Sequence, residues 1–411
     1  MSGSEGSREQ GSKEARKQGS KGTKGRGGQK VFSVRASYPS AAPVFRRAVQ
    51  VPITLPDWIV AAGFRAYADP EFSRSGRVVA SPRDSRMSRQ TVAVTGGTGF
   101  LGSCVVRALR EAGYRVCSCS RREGVDLRDA SEASRWLADA MPDVVVHCAA
   151  HVGGLGYVAT HAVEVFHDNL EIAGGLLRGM AERGLRRLVT VMPNCTYPGD
   201  KEVYLEDEWW DGAIHPSVLM YGLPRKALWG LCKTYGDSLG LLSGHLILPN
   251  LYGPGDHFDE QRSHALGAII SKVMAARHSG QPVVEIWGTG RPVREWMYVE
   301  DASGAVAAFL RVIEQHPRVL SSHPLFNVGV GRGVSIAELA DRIRATAHWD
   351  GSLSYDGSRP DGARQKLLDG TRFARLTGFH PKVGLQEGIE RTVRWFEREM
   401  EAEPIHEDSR V

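Results

Sequence analysis

The residues whose types and spacing carry the clearest chemistry are Thr95-Gly96-Gly97-Thr98-Gly99-Phe100-Leu101-Gly102. A short apolar strand, Thr91–Thr95, runs into them and a helical stretch to about residue 112 runs out. Gly96 permits the tight turn, Gly99 lets backbone approach a pyrophosphate, and Gly102 lets the helix pack closely on the strand. The helix N-terminus then offers unpaired N–H groups and a positive dipole end to phosphate. Spaced glycines alone also fit a turn that holds nothing. Their place between a strand and a helix makes dinucleotide binding the expectation for Gly96, Thr98, Gly99, Phe100, Leu101 and Gly102. Which dinucleotide depends on the end of the second strand, Arg115–Cys119. A carboxylate there would hold the ribose hydroxyls of NAD, but the chain offers Ser118, Ser120, Arg121 and Arg122. Two guanidiniums suit a 2′-phosphate, so NADP is expected, with NAD as the alternative. Asp126 and Leu127 are expected under the adenine edge.

A loop of this kind needs a scaffold that holds strand ends side by side. Further apolar runs at 143–147 and 188–192 alternate with helical spacing at 131–140 and 159–183. Continuous apolar strands separated by helices predict a doubly wound parallel α/β sheet, a Rossmann arrangement covered on both faces. Residues 90–252 are expected to form this dinucleotide-binding domain, with contributions from about 292–330. The rhythm changes after residue 252. Helical spacing at 263–277, a strand at 283–286 and helices at 299–313, 335–345 and 384–400 suggest a smaller C-terminal substrate lobe, from 253–291 and 331–402. Ser335 followed by Glu338 reads as a capping box.

Composition sets the outer limits. The 411 residues carry 52 Lys+Arg against 47 Asp+Glu, a net charge of +5. Eight Lys/Arg and three Glu fall within residues 1–30, so the whole surplus lies in that segment. A basic balance confined to a tail is no sign of nucleic-acid binding by the folded part. Residues 1–89 are expected to be a disordered or dispensable tail, with a domain-like start at Met87, and 403–411 a flexible end. No apolar run reaches the roughly 18 residues that cross a bilayer, so no membrane partner is expected. Six cysteines without a CxxC pair or disulfide framework point to a reducing, cytoplasmic setting and to no metal site. No hydrolase elbow or P-loop is present.

An ordered series of further motifs carries a resemblance. TGGTGFLG is followed by Asp126-Leu127, His147-Cys148-Ala149-Ala150, Val152-Gly153-Gly154-Leu155, Asn194-Cys195-Thr196-Tyr197-Pro198, a Tyr221 segment and Asn250-Leu251-Tyr252-Gly253-Pro254. Ser263-His264, Trp287 to Glu295, Arg359-Pro360-Asp361-Gly362 and Lys366-Leu367-Leu368-Asp369 complete it. From about residue 90 to 400 the chain resembles extended short-chain dehydrogenases/reductases of the NAD-dependent epimerase/dehydratase family, closest to GDP-L-fucose synthase and related GDP-sugar epimerase/reductases. The resemblance implies a GDP-linked 4-keto sugar nucleotide as substrate and a homodimer built on two long helices. Cys195 is then the base and His264 the acid that exchange protons beside the keto group, while Tyr221 assists its reduction. Ala149, Ala150, Leu248, Asn250 and Leu251 join the cofactor site. Asn194, Lys272, Trp287, Arg294, Asp361 and Lys366 line the substrate pocket.

Two positions depart from the family pattern. The lysine expected four residues after Tyr221 is Arg225, and Lys226 would point roughly 100° away around a helix. The serine expected two residues before Cys195 is Pro193, which has no donor for a substrate carbonyl. Losing one such donor typically costs about 10²–10³ in rate, so weakened reduction is expected. Asn194 and Thr196 are the nearest replacement donors. The acidic-aromatic run Glu206–Asp211 is a candidate lid. Two other readings fit the glycine loop: a UDP-sugar 4-epimerase or dehydratase with tightly bound NAD, and a catalytically silent dinucleotide-binding protein.

Overall fold

Alternating β-branched and small residues decide which strands are buried on both faces. In the computed structural model, which describes residues 90–402 except Asp200, Glu260, Gln261 and Pro360, the chain begins with β1 (Thr91–Thr95) and α1 (Phe100–Glu111). Next come β2 (Arg115–Cys119), α2 (Ala130–Ala140), β3 (Val144–His147), α3 (Leu155–Thr160) and α4 (Ala162–Glu182). They are followed by β4 (Arg187–Pro193), β5 (Val203–Tyr204), α5 (Leu219–Leu239), β6 (Leu242–Leu248) and β7 (Asn250–Tyr252). The second half contains α6 (Ala265–Ser279), β8 (Val283–Trp287), β9 (Val293–Tyr298), α7 (Val299–Gln315), β10 (Leu325–Asn327) and β11 (Gly333–Ser335). It ends with α8 (Ile336–Thr346), β12 (Ser352–Asp356), β13 (Gln365–Leu368), α9 (Thr371–Thr377) and α10 (Leu385–Ala402). The expected tails at 1–89 and 403–411 lie outside the described residues.

Six strands form one parallel sheet in the order β10-β6-β4-β3-β1-β2. This is the expected doubly wound arrangement. Val92, Val94, Val144, Val146, Val189 and Val191 pack on one face against Val105 and Leu109 of α1 and Val306, Phe309 and Leu310 of α7. Ala93, Val145 and Leu188 face the other way, against Leu137 of α2, Leu176 and Leu177 of α4 and Leu228 of α5. The strand order reverses between β1 and β3, which opens a crevice at their carboxyl ends. A separate core of Leu266, Ile270, Val273, Ile286, Trp296, Leu339, Ile343, Ile389 and Val393 belongs to the later elements. Two small sheets support it: β11-β9-β13-β5, with β7 alongside β9, and β12-β8.

Ser335 caps α8 as its sequence predicts, its side chain accepting the Glu338 N–H at 3.1 Å. The helical stretch expected at 159–183 is instead two helices broken at His161. There the Thr160 hydroxyl donates back to the Gly156 and Tyr157 carbonyls, drawing the turn away from helical continuation.

Candidate active site

The crevice begins at the glycine turn. Gly96 sits at φ 70° directly against the chain after β3, where a Cβ would fall 2.9 Å from Ala149 backbone. Gly102 is the tightest point: a Cβ there would lie 2.0 Å from the Gly96 carbonyl oxygen, so α1 can start on the strand only with glycine. Thr98, Phe100 and Leu101 complete the turn into α1, whose first residue is Phe100. Ala149 is fixed by its N–H to the Thr95 hydroxyl at 3.2 Å, with Ala150 following. Leu248 ends β6, and Asn250 and Leu251 lie on β7. A backbone cradle at a helix N-terminus, open at the carboxyl ends of β1 and β3, fits a dinucleotide pyrophosphate.

Arg121 and Arg122 follow β2 in an exposed turn, and neither forms an ion pair with a described carboxylate. Asp126 is less free than expected. Its carboxylate takes the Arg128 guanidinium at 3.0 and 2.6 Å, and Arg128 reaches on to Asp168 at 2.9 Å. Leu127 is buried in the core.

Cys195 and Tyr221 come together because α5 starts on the loop after β4. Gly222 packs so closely that a Cβ would lie 2.7 Å from the Cys195 carbonyl oxygen. Both side chains keep their protons. Burial pushes the Cys195 thiol up to about 11, against the pull of Lys366 and Arg225. Burial likewise pushes Tyr221 up to about 12, although Arg225 draws it down. Arg225 itself is sunk in the sheet at 2% exposure. One Nη donates to the Val191 carbonyl at 2.6 Å and the other to the Ala149 carbonyl at 3.4 Å, leaving Nε unpaired. It braces the ends of β3 and β4. Lys226 points elsewhere, as its helical angle predicts, donating to the Trp209 carbonyl at 2.5 Å and lying over the Trp209 and Trp210 rings.

Of the two replacement donors, Thr196 is occupied: it donates to the Pro193 carbonyl and accepts from the Trp209 indole, each at 2.9 Å. Asn194 is buried, with an Nδ2 that has no hydrogen-bond partner among the described residues. The run from Glu206 to Asp211 does not form the expected lid. Trp209 is fully buried, and the Glu206 carboxylate accepts the Asn327 N–H at 2.9 Å, so core packing anchors the segment.

His264 precedes α6, on a loop tied to the first half of the chain by the Gly154 N–H to the Arg262 carbonyl at 2.9 Å. It is half-buried, and burial pushes its imidazole down to about 4. The predicted substrate residues divide into two groups. Outside, Trp287 is 49% exposed, with the Lys272 ammonium 5.3 Å and the Arg359 guanidinium 4.8 Å from its ring centre. Asp361 does not face open space; it accepts the Thr289 N–H and hydroxyl, each at 2.7 Å. Inside, Arg294 and Lys366 are register partners on β9 and β13, both buried. Arg294 donates to the Val293 and Asp361 carbonyls at 2.9 and 3.2 Å. Lys366 has no hydrogen-bond partner among the described residues, and it is close enough to Cys195 to act on its charge. Glu295 pins this floor, its carboxylate accepting the N–H groups of Val330, Gly331 at 2.8 Å and Leu368 at 2.8 Å.

Sequence reasoning did not single out His215 or the stacking role of Arg359. Nothing in the spacing marked His215, and Arg359, though part of the Arg359-Pro360-Asp361-Gly362 motif, had no assigned partner until the fold set its guanidinium 4.8 Å from the Trp287 ring centre.

Comparison with known proteins agrees with this geometry. Residues 92–329 match the model of the family described as NAD dependent epimerase/dehydratase family. The chain is similar to GDP-L-fucose synthase of Escherichia coli (strain K12), 30% identical over 318 residues, covering 75% of this chain and 97% of that one. It is 31% identical to probable GDP-L-fucose synthase 1 of Oryza sativa subsp. japonica, over 74% of this chain and 91% of the other. A solved GDP-6-OMe-4-keto-L-xylo-heptose reductase from C. jejuni shares the fold, with a TM-score of 0.69 at 23% identity over 76% of this chain and 98% of that one. The glycine cradle, the strand order and these matches together mean that the chain belongs to the NAD-dependent epimerase/dehydratase family.

Proposed function

We propose that this chain binds NADP(H) and acts as an epimerase, with attenuated reductase capacity, on a GDP-linked 4-keto hexose. The observation that carries the reading is the meeting of Cys195, Tyr221 and Lys366, joined through Arg225 to the Ala149 carbonyl that borders the glycine turn. A ketone acidifies the carbons beside it, and Cys195 and His264 are the pair that exchange protons there, with the thiol as base and the imidazole as acid. In the free site the thiol holds its proton and the imidazole is neutral, with one ring N–H, so a turnover first requires a proton to pass from the thiol side to the imidazole side. Lys366 and Arg294 receive the diphosphate, and Trp287 with Lys272 the base. Asn194 Nδ2 is the replacement donor for the keto oxygen. The bound reduced nicotinamide supplies hydride chemistry. Tyr221 then gives its proton to the oxygen, and Arg225 acts only through its charge and its hold on the strand ends.

The GDP link and NADP preference draw on the names of the relatives, together with Arg121 and Arg122. The outward Val163, Met220 and Leu223 of α4 and α5 support pairing of two copies through those helices. A free thiol at Cys195 suits a reducing, cytoplasmic setting, and no described helix is long and apolar enough to cross a membrane.

The test is incubation with GDP-4-keto-6-deoxymannose and NADPH in deuterated water. Deuterium entering the ring carbons faster than NADPH is oxidised is the expected result. No deuterium, no NADPH oxidation and no binding across a panel of GDP- and UDP-sugars would overturn the reading. Pro193 and the raised Tyr221 also favour a silent dinucleotide-binding protein, whose mark would be cofactor binding indifferent to Tyr221→Phe.

A further inference from the structure

His215 lies in the turn that leads into α5, and its ring is held in one tautomer. The Ser217 backbone N–H, which can only donate, is directed at Nδ1 at 3.3 Å, and the Ser217 hydroxyl lies 2.8 Å from the same nitrogen. Nδ1 therefore carries the lone pair and Nε2 carries the hydrogen. Nε2–H has no partner among the described residues.

The position of the ring is set from two sides. A Cβ on Gly199, four residues beyond Cys195, would fall 2.7 Å from the His215 Cβ, so the imidazole rests on the Cys195 loop. A Cβ on Gly362 would lie 3.3 Å from Arg294 Nη2 and 3.7 Å from Ser217 Oγ, so the His215 cap and the Arg294 guanidinium flank one point. Burial, and then Lys366 and Arg294, draw the imidazole below its ordinary range, in line with the neutral tautomer that the Ser217 N–H selects. A neutral donor thus stands near two buried cations, on a turn that packs against the loop following Cys195. Asp361 is the carboxylate that bears on Arg294, and its oxygens are held by Thr289.

We propose that His215 is a substrate-binding residue whose Nε2–H donates to the sugar-proximal phosphoryl oxygen of the nucleotide diphosphate. The inference rests on the reading of Arg294 and Lys366 as the diphosphate site. The cations supply attraction, and the fixed imidazole supplies direction, so that the hexose is presented to Cys195 in one orientation. A neutral donor adds no third positive charge to a pocket already difficult to desolvate.

Calorimetric titration with GDP, GMP and NADPH separates the possibilities. His215→Asn keeps a short acceptor for the Ser217 N–H but lacks the reach of Nε2. It is expected to bind GDP about tenfold more weakly, with GMP and NADPH affinities and thermal midpoint unchanged. His215→Gln, which restores a distant N–H, recovers most of the loss, and the ³¹P shift of the bound β-phosphate moves with Asn and returns with Gln. Equal weakening toward GMP and GDP, or unchanged GDP affinity in His215→Asn, overturns the inference alone. If the asparagine variant fails to fold, the glutamine variant and the wild-type ³¹P and imidazole ¹⁵N spectra still decide it. No perturbation of the imidazole on GDP binding overturns it. Absence of GDP binding by the wild-type chain overturns both the diphosphate reading and the inference built on it.

Discussion

The two ends of the cleft use different material. At the dinucleotide end the surface offered to ligand is mostly backbone: a turn at Gly96 pressed against the Ala149 backbone and a helix start at Phe100, where the contacts at Gly96 and Gly102 leave no room for a side chain. At the proposed hexose end it is side chains, buried or half-buried and incompletely partnered among the described residues: the Asn194 amide, the Lys366 ammonium, the Cys195 thiol and the Tyr221 phenol. Backbone recognition depends on shape and tolerates many residue types so long as nothing protrudes. Side-chain recognition fails group by group. That contrast fits a chain whose glycine cradle matches the expected pattern while Pro193 and Arg225 depart from the pattern of the resembled family.

The sharpest way to break the comparison is Gly102→Ala. Its Cβ would meet the Gly96 carbonyl, so loss of stability of about 1–3 kcal/mol and loss of measurable NADPH binding are expected in thermal and fluorescence titrations. A tolerated alanine would show the cradle to be softer than its contacts imply. At the opposite end, Pro193→Ser returns a donor to the keto oxygen and should raise NADPH oxidation by about 10² with deuterium exchange little changed, read by absorbance and mass spectrometry. Lys366→Met removes the unpaired cation and should weaken GDP-sugar binding by about 10- to 100-fold in calorimetry while leaving NADPH affinity intact. Replacing Arg121 and Arg122 together by alanine should weaken NADPH roughly tenfold and NADH hardly at all, the difference being the 2′-phosphate.

The smallest expected effect is an absence of pH dependence. Cys195 is pushed up to about 11 and His264 down to about 4. Raising pH from about 5 to about 10 therefore ionises neither group appreciably, and lowering it within that window protonates neither. Initial rates of deuterium exchange should show no limb from this pair. A limb near 6.5 would mean that His264 titrates as an ordinary imidazole and that the hexose end is wetter than its burial implies.

Much of the fold was legible because periodicity repeats. The strands Thr91–Thr95 and Arg115–Cys119, the Ser335 cap and the glycine turn each rest on a local rule that nothing distant contradicts. The break at His161 was not legible, because it depends on one hydroxyl choosing a carbonyl. Nor was the burial of Trp209, because an acidic run flanking two tryptophans reads as exposed until Thr196 and Asn327 are brought to meet it. The site divides along the same line. Arg225 could be read as a departure from pattern, but its turning down to the Val191 and Ala149 carbonyls could not.

The linear order of residues by itself determined that a dinucleotide turn opens a parallel α/β sheet, since that follows from neighbours a few positions apart; that a donor is missing near Cys195 followed only from comparing Pro193 with the resembled family's pattern. Tertiary structure alone decided that Lys366, without a hydrogen-bond partner among the described residues, acts on that thiol, that the Thr196 hydroxyl is occupied while Asn194 Nδ2 has no described partner, and that Lys366 and Arg294 act on His215. Those facts depend on strands and loops separated by many residues closing on one volume, where burial sets which protons are held and which donors lack a partner.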